Sequence, residues 1–93
     1  MEIKNNELLR QFEYKDETRK IVVEYVNQEK KIFLTKVNIS EDTEEEIINE
    51  FFKKIMNCIE EQNHKVVPSH PKIVNFIKKN PIYKELLPVG IRI

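Results

Sequence analysis

The sequence predicts an α+β domain, element order β-β-β-α-β-α, in which an antiparallel meander and one parallel strand pair form a mixed sheet with two helices packed on it. Three observations predict it. Residues 12–39 alternate apolar and polar side chains in runs separated by short polar turns. From Glu44 the hydrophobic period lengthens to that of a helix. A proline-bounded apolar run, Lys65–Pro68, then separates that helix from a second amphipathic stretch. A chain of 93 residues holds one domain with a modest core.

In the first strand, Phe12 and Tyr14 alternate with Glu13 and Lys15. The polar Lys15–Lys20 segment is a turn. In the second strand, Ile21, Val23 and Tyr25 form one face and Val22, Glu24 and Val26 the other. Asn27–Lys31 is a second turn. The third strand, Ile32–Ile39, is rich in β-branched and aromatic residues. Both faces of its first half are apolar, which predicts a strand covered on both sides.

At about 100° per residue, Ile47, Ile48, Phe51, Phe52, Ile55, Met56, Cys58 and Ile59 fall on one half of a helical wheel, with polar residues opposite. Thr43 and Glu46 have the spacing of a capping box, and Asn63 suits the C-terminal cap, with His64 near the negative helix end. Lys65–Pro68 is a buried strand; its place after a helix makes it the parallel partner of Ile32–Ile39. Pro71 opens a second helix, whose Ile73, Val74, Phe76 and Ile77 share a face, and Asn80-Pro81 ends it. Residues 81–87 form another short helical turn, and the tail from Pro88 is extended, adding an edge strand or fraying.

Sixteen basic and sixteen acidic residues balance, so no overall basic excess marks a nucleic-acid binder. Their distribution is uneven: residues 1–40 carry net +1, 41–61 net −6 and 62–93 net +5. The bland reading is two solvated faces that attract weakly; the sharper one is a partner site. A single cysteine excludes an internal disulfide, and no apolar run approaches the ~20 residues of a membrane span. The start, MEIKNNELL, lacks signal-peptide character, so the cytoplasm is the expected compartment.

The stretches Phe12–Tyr14, Ile32–Ile39, "IEEQNHKVVP" and "SHPKIVNFIKKNPIY" together resemble the GNAT acyltransferase superfamily, and most closely its small single-domain branch. In that branch the C-terminal half reads lysine, two apolar residues, proline, any residue, Cys-Pro, then an apolar helix ending in Pro-x-Tyr. Lys65, Val66, Val67, Pro68, Pro71, Pro81 and Tyr83 fit that pattern. The resemblance implies an acetyl-CoA cleft between splayed parallel strands and acetyl transfer to an amine. By position it implies pantetheine contacts at Val37, Asn38 and Ile39, and a pyrophosphate loop over Thr43, Glu44, Glu45, Glu46, Ile47 and Ile48.

This loop departs from the family's Arg/Gln-x-x-Gly-x-Gly/Ala. The only glycine is Gly90, and five carboxylates fall within Glu41–Glu46. Two unit charges ~6 Å apart at an effective dielectric of ~20 repel by about 3 kcal/mol before screening. The helix dipole returns only ~0.3–1 kcal/mol per favourable charge. The turn therefore disfavours CoA, and weak or lost activity is expected. The bland reading is that first-turn acids stabilise an ordinary helix; the alternative is that they meet a basic partner or a cation, although no calcium-loop pattern is present.

His70 replaces the branch's cysteine. As a catalytic group it would be a general acid or base; otherwise it caps the helix at Pro71. Phe76 lies near the place where many GNAT proteins carry a tyrosine acid, and Tyr83 and Cys58 read as packing residues. His64 and His70 flank a short strand that carries no carboxylate to complete a metal set. Lys72, Lys78, Lys79 and Lys84 form a small basic surface with only Tyr83 among them, too little for a nucleic-acid role. The expected partners are an amine substrate or a basic protein, with no nucleic acid and no membrane, and the expected state is a monomer or weak dimer.

Overall fold

A computed structural model describes residues Met1–Ile93. Its five strands are β1 (Lys4–Asn6), β2 (Gln11–Lys15), β3 (Lys20–Gln28), β4 (Lys31–Ile39) and β5 (Lys65–Pro68). They form one sheet in chain order, β1 to β4 as an antiparallel meander and β4 with β5 parallel. Helix α1 (Glu45–Glu61) connects the parallel pair, α2 (Pro71–Lys79) follows β5, and a 3₁₀ helix covers Pro81–Leu86. The meander, the parallel pair and both helices agree with the expectation from sequence.

Alternation decides what each face carries. Phe12, Ile21, Val23, Tyr25, Ile32, Leu34 and Val66 point to one side and meet Phe51, Phe52, Ile55 and Ile59 of α1 and Ile73, Phe76 and Ile77 of α2 in a single core. Phe52 and Phe76 join the two helices edge to face, 5.4 Å between centroids. No buried residue is polar or charged.

Both helices lie on that side, which corrects the expectation that β4 is covered on both faces. Residues of the other parity, among them Lys20, Val22, Glu24, Val26, Phe33 and Val67, form a face without a helix. The apolar first half of β4 thus reports a half-buried Phe33, not a second layer.

A bulge sets the second half of β4. Tyr25 pairs with Leu34 but Glu24 pairs with Lys36, leaving Thr35 without a cross-strand partner. Thr35 Oγ1 donates to the Glu24 carbonyl at 3.3 Å. The extra residue reverses the phase, so Val37 and Ile39, not Lys36 and Asn38, pack against the core.

The ends of α1 split the sequence reading. At the C-terminus Asn63 adopts φ 59°. Its N–H donates to the Glu60 carbonyl and the His64 N–H to Ile59, the pair of bonds of a Schellman motif. The N-terminal capping box is not formed: Glu44 is the N-cap residue and makes no side-chain cap bond. Thr43 Oγ1 instead donates to the Ser40 carbonyl at 2.7 Å, closing the preceding turn. The tail does not extend the sheet; a bond from the Ile91 N–H to the Pro88 carbonyl turns it, with Gly90 at φ 92°. β1 is the strand the sequence did not announce, since Lys-Asn-Asn has neither alternation nor β propensity.

Candidate functional site

The parallel pair is short. Register runs from Lys31↔Lys65 to Leu34↔Pro68, and the Ser69 N–H still donates to the Leu34 carbonyl at 3.1 Å. β5 then leaves at Pro68 while β4 continues to Ile39, so Thr35–Ile39 have no strand on that side. The Ser40 N–H donates across to Lys20 on β3. Strand alternation from there turns the main-chain groups of Val37 and Ile39 toward the side β5 has vacated.

At the end of this edge lies a groove of about 160 Å³ between α1 and α2. Ile39, Ile48, Phe52 and Phe76 give it an apolar floor; Glu45 and Asn49 of α1 face Lys72, Asn75 and Lys79 of α2 across it. It falls below the ~300–1,000 Å³ of pockets that enclose a drug-sized ligand.

Of the positions expected to hold a cofactor, Ile39, Glu45 and Ile48 line this groove; Val37, Thr43, Glu44, Glu46 and Ile47 do not. Asn38 points to the opposite face, beside Val22 and Lys20. The Ser40–Glu46 turn uses Asp42 in the left-handed region, φ 62°, where a phosphate loop would place glycine. Arg19 is the cation that pairs with this turn. Its Nη1 lies 3.1 Å from Glu44 Oε1, and its Nε lies 3.2 Å from Asp16 Oδ2. Glu41, Asp42, Glu45 and Glu46 are exposed and form no ion pair. The turn therefore does not fit a diphosphate, although the open edge of β4 offers main-chain groups of the kind a pantetheine amide pairs with.

Asp16 anchors the same corner. It accepts from the Thr18 and Arg19 N–H groups and from the Tyr14 hydroxyl at 2.8 Å. Led by the Tyr14 bond, these donors lower its carboxyl to about 2 and raise the Tyr14 hydroxyl.

His70 is the N-cap of α2: its Nδ1 accepts from the Lys72 N–H at 3.1 Å. It does not line the groove. Tyr83 stacks on Phe76 with centroids 5.5 Å apart, a packing role as expected. Cys58 packs against the core, and its thiol is raised chiefly by burial. No cluster of His, Cys, Asp and Glu is suited to a metal ion, and no helix is long and apolar enough to cross a membrane.

Sequence reasoning missed Arg19, which reaches Glu44 across twenty-five positions without any local signal. It also read Lys72 and Lys79 as open surface, whereas they form one wall of the groove. No protein-family model, curated protein or solved structure matches the chain.

Proposed function

We propose that the protein is a non-catalytic binding module of GNAT-like architecture, and that its acid-rich α1 start meets a basic partner. One observation carries this reading: four of the five carboxylates from Glu41 to Glu46 are exposed and form no ion pair. Such a turn resists compaction through self-repulsion and attracts cations. The groups available for acyl transfer are few. His70 Nδ1 is occupied by the Lys72 N–H, Phe76 has no hydroxyl, and Tyr83 is stacked.

A second reading, acetyl-CoA-dependent transfer to an amine, is favoured by the parting of β4 from β5 and by Lys72 and Lys79 on the groove wall. Two titrations followed by amide NMR separate them. A lysine-rich peptide should shift the amides of residues 41–46 at micromolar concentration, and acetyl-CoA should shift none at millimolar concentration. Shifts at Val37, Ile39 and Lys72 with micromolar acetyl-CoA, together with acetylation of a polyamine, would replace the first reading by the second.

A further inference from the structure

The open face of the sheet carries an apolar row in direct register across three strands: Val26 opposite Phe33, and Phe33 opposite Val67. Val26 is 44% exposed. The β1–β2 turn abuts this row, because the Tyr25 N–H donates to the Arg10 carbonyl at 2.9 Å. That turn holds Leu8 and Leu9, 92% and 60% exposed. Three of the six exposed large hydrophobic residues of the molecule therefore gather at one corner, which singly scattered residues would not do.

Cations border the row. Lys31 lies two residues before Phe33 on the same face, about 6–7 Å along the strand. Lys36 lies beyond the Thr35 bulge on the other side. Neither forms an ion pair, and Glu24, opposite Lys36, is the one carboxylate next to the row. Lys65 also borders it, but its Nζ donates to the Glu85 carbonyl at the sheet edge.

We propose that this face docks an acidic amphipathic helix from another protein, its apolar stripe on Val26, Phe33 and Val67 and its carboxylates over Lys31 and Lys36. The dimensions allow it: Lys31 and Lys36 stand five residues apart on β4, about 15 Å with the bulge, and so bracket a helix ~10–12 Å wide. A second copy is a poorer occupant. Face-to-face packing would bring lysines against lysines, and α1, the acidic helix of this chain, already buries its apolar side. Single-stranded nucleic acid is also poorer, since Phe33 is the only aromatic on this face and base stacking uses several. The site is on the opposite layer from the acidic turn and independent of it.

The test uses a synthetic helical peptide with a leucine stripe flanked by glutamates, a scrambled peptide of the same composition, and oligo-dT, each titrated into the full chain by calorimetry and amide NMR. The helical peptide should bind at micromolar concentration and shift amides of Val26, Phe33 and Val67. The scrambled peptide and oligo-dT should bind at least tenfold more weakly. Lys31→Glu with Lys36→Glu should weaken the peptide at least tenfold, with an unchanged circular dichroism spectrum. Phe33→Ala should do the same through the apolar contact. Equal binding of the scrambled peptide, preferred binding of oligo-dT, shifts confined to another surface, or dimerisation through these residues without peptide would each overturn the proposal.

Discussion

The two faces of the sheet come from the same strands and differ in everything except backbone. The covered face contributes seven of the sixteen residues of the buried cluster and no charge. The open face carries six lysines, Lys4, Lys15, Lys20, Lys31, Lys36 and Lys65, against Glu13 and Glu24. Counted along the chain, residues 1–40 are nearly neutral. Counted by place, five of the six lysines in that stretch sit on strands, while Glu7, Asp16, Glu17 and Glu29 sit in turns with Arg10, Arg19 and Lys30. Alternation thus draws a cationic sheet surface from a nearly balanced composition. Charge per segment conceals this; charge per face reveals it.

The widest gap between the faces is energetic. Phe51 is fully buried against the covered side, and Phe51→Ala should cost about 3–5 kcal/mol from lost transfer energy and an unfilled cavity. That is a large share of the ~5–15 kcal/mol typical of a domain. Val26→Ala on the open face should change stability by no more than about 0.5 kcal/mol. Urea denaturation of both variants measures the contrast. Comparable losses would mean that the open face is covered in solution.

Next in size is the turn that aligns the open-face rows. Glu29 and Lys30 join β3 to β4 as a two-residue hairpin, and both have positive φ, 51° and 63°. The left-handed region costs ordinary residues roughly 1–2 kcal/mol each, and Asn-Gly is the sequence this turn geometry favours. Glu29→Asn with Lys30→Gly should stabilise the protein by about 1 kcal/mol, read as a higher urea midpoint at constant slope. A destabilised variant would show that the two side chains make contacts that outweigh their backbone strain.

Much of this fold was legible because periodicity is a local signal. Strands β2 to β5, the apolar arc of α1, the Pro71 start of α2 and its stop at Asn80-Pro81 all follow from residues near in sequence. What was hidden depends on competition or distance. Thr43 had two possible partners and took the Ser40 carbonyl, so a correct capping-box spacing produced no cap. β1 pairs through Asn5 and its neighbours only because β2 offers an edge; the Tyr25 hydroxyl then donates to Asn5 Oδ1 at 2.6 Å. The site was less legible than the fold. Three of the residues placed by position reach the groove, while Lys72 and Lys79 enter it through the α1–α2 packing.

At the border between the two faces, His70 holds the first turn of α2 where β5 ends. His70→Ala removes one acceptor for the Lys72 N–H and should cost about 0.5–1 kcal/mol, toward the low end for N-caps because the side chain is not among the strongest cappers. His70→Asn restores a capping oxygen and should recover most of the loss. If the alanine variant is as stable as the parent, the bond does not hold the helix start.

The smallest effect is one that acid switches off. Asp16 links the β2–β3 turn to the acidic turn through Tyr14 and Arg19, and its carboxyl is held at about 2, below its ordinary 3.8. The folded state therefore favours the ionised form. Its contribution is fully present above about pH 4 and is lost as pH falls toward 2. Asp16→Asn should lower the urea midpoint at pH 7, and the gap to the parent should narrow between pH 4 and pH 2, because the parent's carboxyl becomes protonated as pH falls through that range. A gap that stays constant to pH 2 would mean that the turn depends on the shape of the side chain and not on its charge. The acidic turn would then owe nothing to Asp16 beyond the position of Arg19.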